Sequence, residues 1–350
     1  MATPRIALGI DVGAVSVKLA ACVPTSLADP IIHSNGHARS WRGLRIPKDE
    51  RTALLVARPR RTQGMPAVAI RELLAEFNAR IGEYVIAATV ITGTSGAHDN
   101  VLPNARRCNG FRALVRAVDA LLPLARTVFE IGGETSKYVR VAADDACARL
   151  RIVDYGTNGD CAAGTGSFLD QQAGRLGYAI EKLGDIVAEA RRAAQIAGRC
   201  SVFAKSDMIH AQQKGLTPPE VLRGLCDAVA VNYRSAVVKG RCVEAPVALV
   251  GGVAANSAVV QALREAFDLE AEQLVVPPAA DAFGAIGAAL VALDDEAPAG
   301  ESTGTSLRVV GNPNGADAEF AASPPLRVNR VRNLRDAIPP YQWPQNGTTM

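Results

Sequence analysis

Three turns in the sequence end an apolar, β-prone run where backbone amides stand free to receive anionic oxygen. In "GIDVGAVSVK" Asp11 closes the run, Gly13, Ala14, Val15 and Ser16 make the turn, and Lys18 returns on the next run. A carboxylate there can hold Mg²⁺, the turn amides can cradle phosphate oxygens, and the lysine can neutralise phosphate charge. Alone, such a turn reads equally as an ordinary hairpin. "FEIGGETSK" repeats the plan, with Glu130 at the run's end, then Gly132 and Gly133, then the hydroxyls of Thr135 and Ser136. Two such turns can clasp one polyphosphate from opposite sides. In "LVGGVAAN", Gly251 and Gly252 offer bare backbone to a base or ribose, ahead of a helix whose N-terminal dipole favours phosphate. Together the three turns read as an ATP cleft. No G-x-x-x-x-G-K-[ST] loop and no G-x-G-x-x-G after a strand competes with that reading.

A second chemistry starts at Cys161, in "GDCAAGTGSFLDQQ", which precedes a glycine-punctuated turn at the mouth of an amphipathic helix. Free amides and the helix dipole there favour a thiolate or a bound anionic cluster. A lone cysteine in that place also reads as a packing residue, but Cys200, in "AGRCSVFAKSDMIHAQQKG", has a like setting after glycine and before a helix. A four-iron cluster needs four thiolates and one chain offers two, so two chains complete the set. That stoichiometry implies a homodimer with one [4Fe-4S] cluster on its twofold axis. Cys22, Cys147 and Cys242 near strands and Cys226 in a helix read as core.

The elements that must hold these groups alternate in type. "RIALGIDVG" and "VSVKLAACV" form a hairpin, and the Arg- and Pro-rich stretch from Pro24 to Met65 reads as an irregular or strand-and-loop excursion whose basic "RPRRTQG" is a solvated face. A helix over 67–82 leads into a strand over 84–93, and "FRALVRAVDALLPLA" leads into the second hairpin. "APVALVGG" feeds a third helix, and "DAFGAIGAALVAL" closes the regular part with a small-residue helix. From Asp294 the chain turns Pro- and Gly-rich, with one candidate strand at "SLRVV".

The 350 residues, 48% hydrophobic, suffice for two lobes and a tail. A formal charge of +3 and 5% aromatic content argue against nucleic-acid binding. Seven scattered cysteines, no apolar run of signal-peptide length at the start, and no run near about 20 apolar residues point to a cytoplasmic protein without a membrane span.

The three turns, in this order over residues 5 to 293, resemble the phosphate 1, phosphate 2 and adenosine motifs of the actin, sugar kinase and heat-shock chaperone superfamily. That resemblance implies an α/β fold of two ribonuclease H-like lobes around a nucleotide. The first lobe would take residues 1–128 closed by the helix at 281–293, the second 129–280, and the tail 294–350. With "NGDCAAGTGSFLDQQAGRLG" and "CSVFAKSDMIHAQQKG" added, the set more closely resembles the activators of 2-hydroxyacyl-CoA dehydratases and the ATPase subunits of benzoyl-CoA reductase. The small activators usually read aspartate and "GGQDSK" where this chain has Glu130 and "GGETSK", so the long, multi-module members are the better likeness.

The family resemblance implies that Cys161 and Cys200 bind a [4Fe-4S] cluster bridging two subunits. It implies an ATP-dependent reductase that takes an electron from ferredoxin or flavodoxin and drives it onto an iron–sulfur acyl-CoA dehydratase or reductase. Asp11 and Glu130 would position Mg²⁺ and the attacking water, the first two turns would cradle the phosphates of ATP or ADP, and Gly251, Gly252 and Asn256 would receive the nucleoside. A small-molecule kinase of the same fold and a non-catalytic nucleotide switch are the rival readings.

Overall fold

The computed structural model describes residues 4–295 except 34–40, 82–83, 94–100, 103, 145–148, 160–163 and 198–200. Cys147, Cys161 and Cys200 fall in those gaps, and the tail with its "SLRVV" strand lies outside the described residues past Asp295. No described helix is long and apolar enough to cross a membrane.

Among the described residues the strands form two sheets. The first begins with β1 (Arg5–Val12) and β2 (Ser16–Pro24), an antiparallel hairpin in which Asp11 faces Lys18 in register. After α1 (Thr25–His33), β3 (Trp41–Ile46) and β4 (Asp49–Ala57) extend the sheet beyond β2, and the short β5 (Arg60–Arg61) pairs with the start of β2. The stretch expected to be irregular or strand-and-loop thus holds three strands, as its second alternative has it, and a helix that neither alternative includes. Helix α2 (Pro66–Ile81) then returns the chain to β6 (Val85–Gly93), which runs parallel to β1, with β7 (Arg106–Arg107) outside it.

Burial explains why β1 is central. Ile6, Leu8, Ile10 and Val12 project to one face, into a core with Phe77 and Leu73 of α2, while Ala7 joins a second core on the other face. Both faces are covered, so the run is apolar throughout instead of alternating.

Helix α3 (Gly110–Leu121) leads to the second sheet, its first turn capped by the Asn109 side chain, which accepts from Phe111 N at 2.8 Å. There β8 (Thr127–Ile131) and β9 (Ser136–Asp144) form a hairpin that sets Glu130 opposite Lys137, and β10 (Arg149–Thr157), which the sequence pattern did not announce, pairs outside β9. Helices α4 (Gly166–Arg175), α5 (Leu183–Ala188), α6 (Ser201–Gln213) and α7 (Pro218–Asn232) follow. Thr217 and Glu220 close a capping box on α7, with Pro218 in its first turn. Strand β11 (Val247–Val250) lies parallel to β8, then come α8 (Ser257–Phe267) and β12 (Leu274–Val275). Finally α9 (Phe283–Asp294) returns to the first sheet and lies against β1, β2 and β6.

The two sheets share a local device. Gly93, at the end of β6, has φ +104°, and Gly251, just past β11, has φ +93°. A Cβ at Gly93 would overlap the carbonyl of Val12, and one at Gly251 that of Ile131, the residue after the acid in each hairpin. Positive φ and this backbone contact exclude other residues. Gly251→Ala is expected to cost about 3 kcal/mol of stability in denaturant unfolding, far above the usual effect of a single methyl on a surface.

Candidate functional site

The two hairpin turns and the turn after β11 converge on a cavity of about 1300 Å³ between the sheets. Every residue expected of the three turns lines it except Ser136. Ser136 is buried, its hydroxyl donating to Gly164 O at 3.0 Å and its N–H to Asn158 Oδ1 at 3.0 Å. The pleat of β9 turns Ser136 inward, so this hydroxyl braces the turn from behind.

The two phosphate-type turns are built alike. Gly13 N donates to Ser16 O at 3.1 Å, and Gly132 N donates to Thr135 O at 2.9 Å. Each acid faces a lysine seven residues on, across its own hairpin: Lys18 Nζ lies 3.3 Å from Asp11 Oδ2, and Lys137 Nζ bonds Glu130 Oε2. Burial opposes the charge on Lys137, but Glu130, by charge and hydrogen bond, and Asp11 hold its pKa above the ordinary lysine value. Lys137 also lies 5.8 Å from the centre of the Phe111 ring. Lys137 was not among the residues expected at the site, yet the repeated acid-to-lysine spacing is a signal that finds it. The turns meet at their tips, since a Cβ on Gly133 would stand 2.5 Å from Cγ2 of Val15.

Among the buried polar atoms beside this cavity that lack a hydrogen-bond partner are those of Thr92 and Asn256. Thr92, the register partner of Asp11, is 4% exposed and its hydroxyl has no hydrogen-bond partner. Asn256 spends Oδ1 on capping α8, accepting from Ala258 N at 3.0 Å, and leaves its buried Nδ2 unpartnered. Both residues line the cavity. Buried polar groups in folded proteins are almost always satisfied, so these atoms suit a polar ligand such as a nucleotide. Asp11 and Glu130 suit Mg²⁺ chemically, because that ion keeps several waters and takes one or two carboxylates together with substrate phosphates. Among the described residues no group of three or more His, Cys, Asp or Glu is clustered to hold a metal.

The helix after Cys161 differs from expectation. It begins at Gly166, and its first amides are not free: Gly166 N donates to Gly132 O and Ser167 N to Gly133 O, both at 2.8 Å, with the Ser167 hydroxyl also on Gly133 O. They tie α4 to the turn of the second hairpin instead of facing an anion. Cys22 and Cys226 are buried, which pushes both thiols up to about 12, whereas Cys242 is exposed, not core as its strand-side position suggested. The arginines of the basic run are exposed, as a solvated face requires, and two of them are paired: Arg60 with Glu76 at 2.9 Å, Arg61 with Asp170 and Glu181.

Two α/β halves of one plan, each presenting an acid, a glycine turn and a positive-φ glycine to a shared cleft, define a protein of the actin-like ATPase fold. Solved structures agree. The activator of the 2-hydroxyisocaproyl-CoA dehydratase from Clostridium difficile with bound ADPNP superposes with a TM-score of 0.64 at 25% identity, covering 83% of this chain and 95% of that one. Component A of the Acidaminococcus fermentans (R)-2-hydroxyglutaryl-CoA dehydratase gives 0.63 at 25% identity, covering 83% and 99%. The chain belongs to the BadF/BadG/BcrA/BcrD ATPase family, which it matches over residues 8–292. Among curated relatives, the 2-hydroxyisocaproyl-CoA dehydratase activator of Clostridioides difficile is 33% identical over 51% of this chain and 64% of its own length. A benzoyl-CoA reductase subunit from Thauera aromatica is 29% identical over 49% of this chain and 59% of its own. The aligned stretches thus span less than two thirds of these relatives.

Proposed function

We propose that this chain is an ATP-driven electron donor to an iron–sulfur acyl-CoA dehydratase or reductase. ATP lies in the cleft with its phosphates between the two hairpin turns and its nucleoside against Gly251, Gly252 and Asn256. Asp11 and Glu130 orient Mg²⁺ and the water that attacks the γ-phosphorus, giving ADP and inorganic phosphate, while Lys18 and Lys137 hold the two carboxylates and offset phosphate charge. Residues 1–128 with 281–293 form one lobe and 129–280 the other. Two chains pair, and Cys161 and Cys200 of each hold one [4Fe-4S] cluster, which supplies one-electron chemistry between a ferredoxin or flavodoxin and the acceptor enzyme.

One observation carries this reading: α4, whose chain enters from Cys161, is hydrogen-bonded at its first two amides to Gly132 and Gly133 of the second phosphate turn. A change of the turn on binding or losing the γ-phosphate therefore pulls on the helix beside the cluster cysteine. ATP acts only through a difference in affinity between two arrangements, and this tie makes the cluster environment part of that difference. Exposed Phe203 and Ile209 on α6, which begins right after Cys200, supply apolar surface for a second copy.

The test is electron paramagnetic resonance of the anaerobically purified, dithionite-reduced protein. A cluster signal that changes on adding ATP with Mg²⁺, in a dimer holding about four irons per two chains, is the expected result. Protein that stays colourless after iron–sulfur reconstitution overturns the redox reading. ATP use matched by a phosphorylated small molecule would point to a kinase.

A further inference from the structure

Arg61 has an unusual place in this cleft. On β5 it stands directly opposite Ser16 of the first phosphate turn. The next residue, Thr62, is 5% exposed and is hydrogen-bonded to that turn, its N–H donating to Val15 O at 3.0 Å and its hydroxyl to Ala14 O at 2.7 Å and Val15 O at 3.3 Å. The base of Arg61 is thus fixed to the first turn.

Its guanidinium crosses to the other half of the molecule. Nη1 donates to Asp170 Oδ2 of α4 at 2.9 Å, and Nη2 donates to Glu181 Oε1, in the 3₁₀ turn ahead of α5, at 3.0 Å. The planar fork lets one side chain hold two acids from different elements. Arg61, Asp170 and Glu181 all line the cavity. Because α4 is itself tied to the second turn at Gly132 and Gly133, the contacts close a ring: first turn, Thr62, Arg61, Asp170, α4, second turn, and back through Val15 against Gly133.

We propose that Arg61 is a strap across the nucleotide cleft, holding the first phosphate turn to α4 and setting the rate at which nucleotide enters and leaves. The proposal rests on the reading of the cavity as a nucleotide site. A ligand wedging between the turns stretches the ring, and the two ion pairs resist or yield together. Ordinary surface ion pairs of this exposure contribute little to stability, so the strap is to be read in exchange kinetics and not in melting temperature.

The experiment compares the full-length protein with Arg61→Gln, Glu181→Gln, and the exchanged pair Arg61→Glu with Asp170→Arg, using an N-methylanthraniloyl-labelled ADP in stopped flow. Arg61→Gln is expected to speed release about fivefold, Glu181→Gln about twofold, and the exchanged pair to recover only part of the loss, because Glu181 then faces an acid at position 61. Rising salt should speed release from the wild type by a larger factor than from Arg61→Gln. Release within the error of the wild type in Arg61→Gln overturns the strap.

Hydrogen exchange on the ligand-free proteins separates this proposal from the nucleotide reading. Arg61→Gln is expected to raise exchange in both 13–17 and 166–182. Faster exchange in a protein that binds no labelled ADP keeps the strap and overturns the nucleotide site. Unchanged exchange in both segments overturns the strap even where ADP binds.

Discussion

Asp11→Asn and Glu130→Gln are each expected to lower steady-state ATP hydrolysis about a hundredfold or more, while labelled ADP still binds. Each carboxylate sits at the end of a central strand, in register with a lysine, at the edge of one glycine turn. Neutralising it keeps shape and hydrogen-bonding capacity but removes the charge that the proposed mechanism assigns to orienting Mg²⁺ and water. Groups that act on one transition state are not additive, so the double variant should be little slower than the worse single one. Comparing Lys137→Met with Glu130→Gln separates catalysis from folding. Lys137→Met leaves Glu130, whose side chain is 15% exposed, without its partner, and removing one member of such a partly buried pair costs about 1 to 3 kcal/mol. Both activity and unfolding midpoint should therefore fall in Lys137→Met, whereas Glu130→Gln should lose activity with a smaller change in midpoint. Hydrolysis within a fewfold of wild type in Asp11→Asn would sink the assignment of the cleft.

Cys161→Ser and Cys200→Ser are each expected to reduce bound iron from about four per two chains to near zero, with ATP hydrolysis kept within a fewfold. If a cluster is shared on a twofold axis, one substitution per chain removes half of its four ligands, so no partial site survives. Iron by mass spectrometry, dimerisation by sedimentation and hydrolysis by phosphate release measure the three quantities together. Retained iron in both variants would remove the redox reading and leave an actin-like nucleotide binder. Loss of iron with loss of ATP sensitivity in the electron spectrum, but intact hydrolysis, is what coupling through α4 requires.

Much of the candidate site is legible in the sequence because it is local. The hairpin places residues seven apart opposite each other whenever the two-strand turn has this length, so the pairs of Asp11 with Lys18 and Glu130 with Lys137 are written into spacing alone. The second pair is the harder one to see, since Lys137 sits inside an apolar strand pattern and shows its role only when set beside Lys18. Residue type puts Ser136 in the phosphate turn, whereas the alternation of buried Ser136 and Tyr138 around a partly exposed Lys137 points it inward. The helix within 25–33 is masked because Pro30 and the flanking Arg- and Gly-rich stretch read as breakers, while packing against β3 and β4 sustains it.

Residue order alone settles the groups whose partners lie within one turn: two acid–glycine hairpins, the glycine pair after β11, and the helix that follows that pair. Short-range geometry governs these, because φ, register and capping depend on a few neighbouring residues. Three contacts are a matter of long-range packing instead: the hairpin tips meet at Val15 and Gly133, the first amides of α4 are taken by the second turn, and Arg61 reaches Asp170 across the cleft. The Arg61 contacts join residues 109 or more positions apart. No local pattern carries them, since they arise only when burial packs α3 and α9 with strands of both sheets into one core.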